Sequence, residues 1–513
     1  MIDEASLSSR YLGRIVQNQG RPLIISPGKR RLFGYVAEAV LDQVRDGMSV
    51  VAEGPEGAMK LVCRVRKLQS YPQASSIVFR ATSEFVTEVE LEPLGQIDGR
   101  AILPVPNGDF HGYGFRCGTS DEMATFYQIP AQGLRCGDLA MDGSETGLSF
   151  RLPVEILYRS LFICGAKGSG KTTCLRSILP RSLDPNTGAS LPPAIVILDV
   201  EGEFSDPSST ELFKGTGGRI SVDRISTDSS VASTTLGLGQ VHYEHFANFA
   251  PNLPLNSMLH LESIIKELSF RYKERGLVPR APEILRDIQQ AAWRRPGIHH
   301  FQRDALVRAT MSDVFAMFDQ DGLQPLVPEL LVRPGWVSVL DVSTLTDDQQ
   351  RVAALYLLSS LSVYKNRSLD STGLLLVMDE AQKLFPQKGD LKQEYAERLG
   401  KFVSHIVHRG RRRRYGIILS TQYPADVSRD VVDLCDTKFM FRMSGPQAWL
   451  RMILGDTDRA RQAAELSVGE AFVTSNGLNL PEPVRIRFPA AQRFGDAEGQ
   501  NRPKLLERHA DAN

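Results

Sequence analysis

The sequence has little of what marks secreted, membrane or metal-stapled proteins. Only six of its 513 residues are cysteines, and they are scattered without a C-x-x-C pair or a regular spacing. This usage argues against a disulfide framework or a structural zinc site and favours a reducing compartment. No run approaches the roughly 20 apolar residues that span a bilayer, and the opening residues MIDEASLSSR show no secretory pattern. We therefore expect a cytoplasmic protein that makes no use of a membrane.

The sequence also lacks a net charge. Lys and Arg total 60, and Asp and Glu total 60, so the composition gives no global sign of a nucleic-acid partner. It does not exclude one, because a protein that grips DNA needs positive charge only on the contacting surface. With 42% hydrophobic and 23% charged residues, the chain has an ordinary globular composition. Its length predicts about three domains.

The pattern of apolar segments changes near residue 150. Before it, short β-like segments alternate with Gly, Pro, Asn and Asp, which predicts a small barrel or sandwich. After residue 160, apolar runs stand alone and each is followed by a helical or loop segment, as in a buried parallel sheet. These runs are SLFICG, PAIVILDV, WVSVLDV, GLLLVMDE, YGIILSTQ and TKFMFRM.

A predominantly helical stretch, about 240–330, interrupts these runs. Its first helix has apolar residues at a spacing that keeps one face apolar, and Gly276 supplies a stop. Two further helices fit PEILRDIQQAAWRR and QRDALVRATMSDVFAMF. The apolar face of the first helix consists of Met258, Leu261, Ile265, Leu268 and Tyr272.

Together these patterns predict an α/β protein with a helical insertion and a separate β-rich domain. The predicted segments are 1–150, a small β-barrel or sandwich domain; 151–239, the first part of the α/β core; 240–330, the helical insertion; 331–494, the second part of the core; and 495–513, a polar, flexible tail.

The stretch LFICGAKGSGKTTCL, residues 161–175, carries the pattern G-x-x-x-x-G-K-[ST] between a predicted strand and a helix expected to end at Pro180. Glycines let backbone N–H groups converge on phosphate oxygens, Lys171 adds a mobile charge, and Thr172 offers a hydroxyl to Mg²⁺. The alternative is a glycine-rich turn without a ligand, but the strand–loop–helix context favours nucleotide binding. The expected contacts are Gly165, Ala166, Lys167, Gly168, Ser169, Gly170, Lys171, Thr172 and Thr173.

Three of the predicted strands end in aspartate, at Asp199, Asp341 and Asp379. Ligands of a doubly wound sheet gather at the carboxyl ends of its strands, so each is a candidate. Only Asp379 is followed directly by Glu, which predicts that Asp379 orients hydrated Mg²⁺ while Glu380 polarises the attacking water. The alternative is that both carboxylates merely start a helix, and the two interpretations are compatible.

Two polar features accompany the apolar run YGIILSTQ, residues 415–422. Gln422 stands at its tip, where an amide can contact a γ-phosphate or its water; the alternative is a turn residue before Pro424. Just upstream, HRGRRRRYG at 408–416 is the most concentrated positive charge in the chain. It fits a solvated face, an arginine directed at a neighbouring subunit's nucleotide, or a contact to DNA phosphates.

Taken in order, a set of motifs resembles the HerA branch of the HerA/FtsK superfamily of hexameric DNA-pumping ATPases. The likeness covers about 150–490, and residues 1–150 resemble the family's small HAS barrel in general character. The resemblance implies a RecA-like P-loop core with an inserted helical bundle, assembled as a hexameric ring around duplex DNA and driven by ATP and Mg²⁺. The motifs are GAKGSGKTT, LDVEGEF, PGWVSVLDVSTL, LLVMDEAQKLF, GRRRRYGIILSTQYP and TKFMFRM.

The resemblance also implies residue roles. Lys171 and Thr172 match the phosphate-loop positions. Asp379 and Glu380 match the Mg²⁺ and water-activating positions, and Gln422 matches the sensor.

Four arginines are matched less closely. Arg413 and Arg414 match the charged pair that acts on a nucleotide, Arg159 matches another arginine near the nucleotide, and Arg442 is a weaker candidate. The chain departs from the family at Glu201, where a histidine is more usual. The segment 383–395 is predicted to lengthen the loop after the strand that ends at Asp379.

HerA-type proteins commonly work with a co-encoded effector. The resemblance implies a nuclease of the NurA kind in DNA end resection, or a nuclease or NAD-degrading protein in anti-phage defence. The predicted function is therefore an ATP-dependent DNA translocase or helicase. The alternative is an ATP-gated hexameric scaffold that assembles and regulates a partner enzyme through residues 1–150.

Overall fold

A computed structural model describes most of the chain. The predicted tail at 495–513 and the part of the predicted loop extension from 388 to 395 lie outside the described residues. The described residues are 13–15, 31–36, 38–54, 59–72, 85–107, 110–141, 144–184, 187, 191–206, 211, 213, 218–237, 253–276, 280–367, 372–387, 403–404, 406–445, 447–478 and 480–489.

The strands are β1 (Gly13–Ile15), β2 (Leu32–Val36), β3 (Ser49–Glu53), β4 (Lys60–Pro72), β5 (Phe85–Asp98), β6 (Ala101–Leu103), β7 (Gly114–Cys117), β8 (Leu134–Met141), β9 (Ser144–Leu152), β10 (Leu161–Cys164), β11 (Ala194–Asp199), β12 (Arg219–Arg224), β13 (Thr235–Leu236), β14 (Pro325–Leu326), β15 (Trp336–Asp341), β16 (Leu374–Met378), β17 (Tyr415–Thr421), β18 (Thr437–Phe441), β19 (Glu470–Ser475) and β20 (Val484–Arg487).

The helices are α1 (Ser120–Phe126), α2 (Lys171–Ser182), α3 (Leu255–Glu274), α4 (Ala281–Arg294), α5 (His300–Thr310), α6 (Pro328–Leu331), α7 (Asp347–Arg367), α8 (Ala381–Leu384), α9 (Arg429–Leu434), α10 (Gln447–Leu454) and α11 (Thr457–Glu465). Residues 406–413 are also helical. The chain divides into two compact units, Met1–Gly170 with Cys435–Phe488, and Lys171–Leu434 with Pro489–Asn513.

The first unit contains an antiparallel ladder of the early strands. Their order is β2-β1-β7-β3-β4-β5-β6, and β5 also pairs with β2, with Leu91 opposite Leu32. The ladder therefore closes on itself around an apolar core that includes Val50, Leu61 and Phe115. Register shifts in the long β4–β5 pair bend these strands, as closure requires. The HAS-like identity of this domain stays a prediction.

A second sheet in the first unit has the order β10-β18-β19-β20-β8-β9. β10 and β18 are parallel, whereas the other pairs are antiparallel. The hairpin of β8 and β9 joins this sheet through the pairing of Leu139 with Ile486. The predicted boundary at residue 150 thus falls inside β9, and the five-segment division remains a proposal.

The second unit is built on a parallel sheet in the order β12-β15-β11-β16-β17. Every residue of β11, β16 and β17 is buried, which explains why these strands are uninterrupted apolar runs. The prediction of a buried parallel sheet is confirmed. The register places Asp199 beside Asp341 and Met378 beside Leu419, so these strands end at one edge.

The helical stretch differs from its prediction in one place. Four of the five residues named for the apolar face of α3 are buried, and Tyr272 is half-buried. The predicted third helix over 302–318 is wrong as a single helix, because α5 ends at Thr310 and a short 3₁₀ turn, Asp313–Met317, follows. Ser312 separates them, since its hydroxyl accepts from the Val314 N–H.

The end predicted for α2 is also wrong. The helix continues through Pro180 to Ser182. A proline inside a helix removes one N–H donor, but here it stands in the last turn, where the Ser182 hydroxyl donates to the Leu179 carbonyl at 2.6 Å.

Two compositional predictions can be compared with the structure. All six cysteines are free thiols, and only Cys117 among them is exposed. Among the described residues, no helix combines the length and apolar character needed to cross a membrane.

A buried ion cluster connects α1 to the closed ladder. Arg116 donates to both carboxylate oxygens of Glu122 at 2.8 Å and also contacts Glu53, while Lys60 lies 2.7 Å from Glu122. The hydrogen bonds from Arg116 hold the pKa of Glu122 well below its ordinary value of 4.5. Glu122 also closes a capping box with Thr119.

We predict that Glu122→Gln lowers the free energy of unfolding by about 2 kcal/mol, because Arg116 loses a buried counter-charge. The control Asp121→Asn, an exposed acid in the same turn, should lower it by less than about 1 kcal/mol. Urea unfolding of the full chain, followed by circular dichroism, measures both changes.

The depressed pKa adds a pH signature. Stabilisation by the Glu122 carboxylate is complete at neutral pH and is lost as the pH falls below about 4.5 towards the folded-state pKa. The difference between wild type and Glu122→Gln should therefore shrink in that range. A difference that stays constant from pH 7 to pH 3 contradicts this assignment.

Candidate functional site

The loop after β10 is fixed by backbone hydrogen bonds. The Ala166 N–H donates to the Arg442 carbonyl at 2.9 Å, the Ser169 N–H donates to the Ala166 carbonyl at 3.1 Å, and the Gly469 N–H donates to the Ser169 carbonyl at 2.9 Å. The Ser169 hydroxyl is buried and has no hydrogen-bond partner among the described residues. The loop is therefore held in shape while one of its polar groups stays unsatisfied.

The glycines of this loop have structural reasons. Gly168 has φ of +73°, which favours glycine, and a Cβ at Gly165 would lie 2.5 Å from the Cβ of Phe441. In the described part of the chain, the N–H groups of Lys167, Gly168 and Gly170 find no acceptor. Converging free N–H groups form an anion-binding concavity, so the loop fits a phosphate.

The helix α2 begins at Lys171, directly after the loop. Lys171 is buried, and Thr172 and Thr173 are half-buried in the first turn. The Thr172 hydroxyl donates to the Glu203 carboxylate at 2.8 Å, and Arg176 donates to the Glu203 carbonyl at 3.1 Å. The predicted Mg²⁺ hydroxyl thus lies beside an acidic residue that the sequence analysis missed.

Asp199, the first strand-end aspartate, organises the loop that carries Glu203. Its carboxylate accepts from the N–H groups of Glu203, Phe204 and Ser205 at 3.0, 2.9 and 2.8 Å. The side chain is fully buried, and burial raises its pKa despite these bonds. Since its oxygens are occupied by backbone donors, Asp199 shapes the site and is not a free metal ligand.

Asp341, the second strand-end aspartate, is likewise occupied. It accepts from the N–H and hydroxyl of Ser343 at 3.0 and 2.7 Å and pairs with Arg224 at 2.9 Å. Burial alone would raise the pKa of Asp341, but the bonds from Ser343 and Arg224 lower it.

Asp379 is the strand-end aspartate whose environment suits a cation. Burial, together with the charges of Glu380 and Glu203, raises its pKa to about 6, against hydrogen bonds from the Ser420 side chain and the Glu380 backbone. A buried carboxylate close to two others is stabilised in its ionised form by a nearby positive charge. The Mg²⁺ role of Asp379 stays a prediction.

Glu380 has an unusual backbone and a fully engaged carboxylate. Its φ is +48°, a left-handed conformation that non-glycine residues rarely adopt. Although it is the N-cap residue of α8, its side chain makes no capping bond. The side-chain amides of Gln422 and Gln382 each donate to one of its oxygens, and Thr421 donates to Gln382 at 2.6 Å. The carboxylate therefore belongs to a polar network at the sheet edge and does not cap the helix.

An ion pair links the loop that carries Glu203 to helix α8. Lys383 in α8 contacts Glu201, the residue at the family's histidine position. Burial would lower the pKa of Lys383, but Glu201 raises it. Arg351 in α7 donates to the Lys383 carbonyl at 2.7 Å. Glu201 thus ties the Glu203 loop to the helix that follows Glu380.

The structure does not bring Arg413 and Arg414 to this network within the chain. Arg413 ends the helical residues 406–413 and is exposed, and Arg414 directly precedes β17. Gln422 directly follows the same strand, so the seven residues of β17 separate them by about 20 Å. These arginines lie at the opposite edge of the parallel sheet from Glu380.

The other two arginines belong to the first unit. Arg159 ends a 3₁₀ turn before β10 and lies 3.8 Å from Asp436. Arg442 is exposed and directly follows β18, and its carbonyl accepts from Ala166 of the phosphate loop. Of the two, only Arg442 has a hydrogen bond to the phosphate loop that the structure shows.

Sequence reasoning missed three residues of the site: Glu203, Gln382 and Lys383. All lie within five residues of a strand-end aspartate, in LDVEGEF and MDEAQK, and that proximity was the available signal. Among the described residues, no cluster of three or more His, Cys, Asp or Glu side chains could hold a metal by itself.

Comparison with solved structures identifies the fold. VirB4 of Thermoanaerobacter pseudethanolicus is 16% identical, with a TM-score of 0.52 over 71% of this chain and 98% of VirB4. The trigonal form of the bacterial conjugative coupling protein TrwBdeltaN70 in complex with sulphate is 14% identical, with a TM-score of 0.50 over 74% of this chain and 93% of that one. These likenesses confirm the predicted RecA-like α/β fold class.

Comparison with sequence families gives a more specific result. No curated protein matches the chain, but residues 134–361 match the family model described as "Helicase HerA, central domain". That range includes the phosphate loop, Glu203 and the Asp341 strand. The resemblance seen in the motifs is therefore confirmed over residues 134–361.

Proposed function

We propose that the protein is an ATP-dependent DNA translocase of HerA type, working as a hexameric ring on duplex DNA with a partner nuclease or other effector. The observation that carries the proposal is the buried Glu380 carboxylate, which two side-chain amides hold next to Asp379. A carboxylate with fixed donors at the end of a sheet suits a base that directs water at a phosphate.

The phosphate loop and α2 supply the nucleotide site. The free N–H groups of the loop and the Lys171 ammonium would hold the phosphates of ATP. Thr172 and Asp379 would hold Mg²⁺, with Glu203 accepting a hydrogen bond from Thr172 or from a water on the ion. When bound, Mg²⁺ neutralises charge on the phosphate oxygens.

The amide network gives Glu380 and Gln422 their roles. The side-chain amides of Gln382 and Gln422 fix the orientation of the Glu380 carboxylate by donating to its two oxygens. Glu380 orients the attacking water and accepts its proton. Gln422 touches Glu380 directly, so a change at the γ-phosphate that moves either residue also moves the strand tip and the loop after it.

The position of Arg413 and Arg414 supports a ring. Within one chain they stand about 20 Å from Gln422 along β17, too far to reach the same nucleotide. An arginine that stabilises transition-state charge can instead be supplied by a neighbouring subunit. In a head-to-tail ring, the Arg413 edge of one subunit's sheet faces the Glu380 edge of its neighbour's sheet.

The first experiment is steady-state ATP hydrolysis with and without duplex DNA, together with the mass of the particle in solution. A particle of about six subunits with DNA-stimulated turnover supports the motor. Little turnover, no stimulation and a larger complex with a co-encoded protein support the alternative, an ATP-gated scaffold for an effector.

We predict that Glu380→Gln retains ATP binding and loses turnover by a factor of about 100 or more, because the base is removed while the phosphate loop stays intact. Lys171→Ala should lose ATP binding itself. Fluorescent-nucleotide titration and phosphate release separate the two effects, with Glu274→Gln, an exposed acid at the end of α3, as the control. Normal turnover in Glu380→Gln excludes it as the base.

We predict that Glu203→Gln raises the Mg²⁺ concentration needed for half-maximal ATP turnover by roughly tenfold, because a group that orients a metal ligand contributes to metal affinity. Glu201→Gln, two residues away, removes the same charge from the pair with Lys383 and should leave the Mg²⁺ requirement within about twofold. If both changes raise the Mg²⁺ requirement equally, the effect belongs to the loop as a whole, and the specific role of Glu203 is wrong.

We predict weak sequence preference and a steep salt dependence of DNA binding, because a grip on phosphates releases counterions. Affinity for a random duplex should fall by about 100-fold or more between 50 and 200 mM salt. Fluorescence anisotropy with two unrelated duplexes measures both properties. Affinity that is unchanged by salt excludes the phosphate grip.

A further inference from the structure

The turn between α4 and α5 carries an excess of positive charge. Residues 293–303, WRRPGIHHFQR, include three arginines and two histidines and no acidic residue. The helical stretch 255–310 around this turn has ten Lys and Arg against six Asp and Glu. Since the chain as a whole has 60 of each, this stretch is one of the places where its positive charge is concentrated.

The three arginines of the turn have no carboxylate partner in the described part of the chain. The Arg294 side chain is exposed and makes no hydrogen bond or ion pair with any described residue. Arg295 donates to the Ser263 hydroxyl at 2.6 Å, and Arg303 donates to the Arg295 carbonyl at 3.4 Å. One buried nitrogen of each, Nη1 of Arg295 and Nε of Arg303, finds no acceptor among the described residues. The positive charge of the turn is therefore held by neutral groups only.

The acids of the surrounding helices do not neutralise this charge. Three of the six already accept from other groups of the bundle: Glu267 from Arg271, Glu283 from the Arg280 N–H, and Asp287 from the Tyr272 hydroxyl.

The other three acids, Glu262, Glu274 and Asp304, form no ion pair with a residue that the structure describes. Glu274 ends α3. Only Glu262 and Asp304 adjoin the turn, next in sequence to Ser263 and Arg303. Two unpaired acids thus stand against three arginines, and the turn keeps a positive surplus.

The same turn exposes two large aromatic side chains. Trp293, in the last turn of α4, is 60% exposed, and Phe301, in the first turn of α5, is 73% exposed. The His300 ring lies beside Phe301, with centroids 3.9 Å apart. Exposed rings beside arginines are the groups that bind single-stranded nucleic acid, because bases stack on the rings while guanidinium groups hold phosphates. Bases inside a duplex are already stacked on one another and do not offer these faces.

A membrane surface also attracts Trp and Arg, but it is bound by the apolar face of a continuous amphipathic helix. Here the two exposed rings belong to different helices, and Pro296 and Gly297 interrupt the chain between them. The arrangement therefore favours a flexible polyanion over a lipid surface.

We propose that the α4–α5 turn binds single-stranded nucleic acid. Bases stack on Trp293 and Phe301, a phosphate lies at Arg294, and Arg295 and Arg303 supply the positive field behind it. A contact of this kind retains a strand that has left the duplex. It is additional to the proposed grip on duplex DNA and does not rest on ATP turnover.

The test measures binding of a short labelled oligothymidylate to the full-length protein without nucleotide, by fluorescence anisotropy. Trp293→Ala and Phe301→Ala should each weaken binding by about tenfold, the loss expected for one stacked base. Affinity for a random duplex should stay within about twofold. The control is Phe270→Ala, which removes a 65% exposed ring of α3 whose basic neighbour Arg271 is already paired with Glu267, and it should leave both affinities unchanged.

Two further variants separate stacking from charge. Trp293→Phe keeps a ring, so oligothymidylate affinity should stay within about threefold. The fall in tryptophan fluorescence that wild type shows on binding should largely disappear, because the other two tryptophans, Trp336 and Trp449, are half-buried. Arg294→Gln should lower the slope of log affinity against log salt by about 0.7, the value for one phosphate contact on a single strand.

Three outcomes overturn the proposal: no saturable binding of oligothymidylate, equal affinity of Trp293→Ala and Phe270→Ala, or a parallel loss of single-strand and duplex binding in Trp293→Ala. Binding to vesicles of phosphatidylserine and phosphatidylcholine provides the remaining comparison. If Trp293→Ala and Arg294→Gln lose vesicle binding but keep oligothymidylate affinity, the turn is a membrane contact and the proposal is wrong. Absent ATP turnover in wild type would contradict the translocase and leave this result unaffected.

Discussion

The register of the parallel sheet in the second unit is the constraint on which the site depends. Pairing Asp199 with Asp341, and Met378 with Leu419, brings several strand ends to one edge, where carboxylates are buried together. Burying like charges is unfavourable unless each is paired or hydrogen-bonded. Asp199 meets this need with backbone N–H groups and Asp341 with Ser343 and Arg224. Asp379 has a hydrogen bond from the Ser420 side chain, a backbone hydrogen bond from Glu380 and two acidic neighbours, an environment that suits the predicted cation.

Glu380 shows how the same edge fixes the position of a carboxylate. Its left-handed backbone turns the chain immediately after β16, and the amides of Gln382 and Gln422 hold its carboxylate. Such a backbone conformation costs on the order of 1–3 kcal/mol and persists where its surroundings fix it. Here the fixing groups come from the next helix and the next strand. The geometry of the Glu380 carboxylate therefore depends on the pairing of β16 with β17, not on the two-residue motif alone.

The sequence could predict what local pattern determines and could not predict what tertiary contacts determine. The apolar runs, the phosphate loop and the face of α3 are recognisable because periodicity and glycine spacing are local. Glu203 was missed because only its hydrogen bond with Thr172, 31 positions earlier in the sequence, places it in the site. Asp341 also ends a strand, as Asp379 does, and its contact with Arg224, 117 positions away, is not visible in any local pattern. The single helix expected over 302–318 is wrong because Ser312 caps a separate turn, although the apolar pattern continues across it.

Charge compensation distinguishes the structural ion cluster of the first unit from the edge of the parallel sheet in the second. Around Arg116, two basic and two acidic side chains neutralise one another, so the cluster is complete without a ligand. Asp379 instead has two acidic neighbours, Glu380 and Glu203, whose charges raise its pKa. Since an isolated buried charge is strongly unfavourable, the environment of Asp379 suits a cation from outside the chain, whereas the Arg116 cluster needs none.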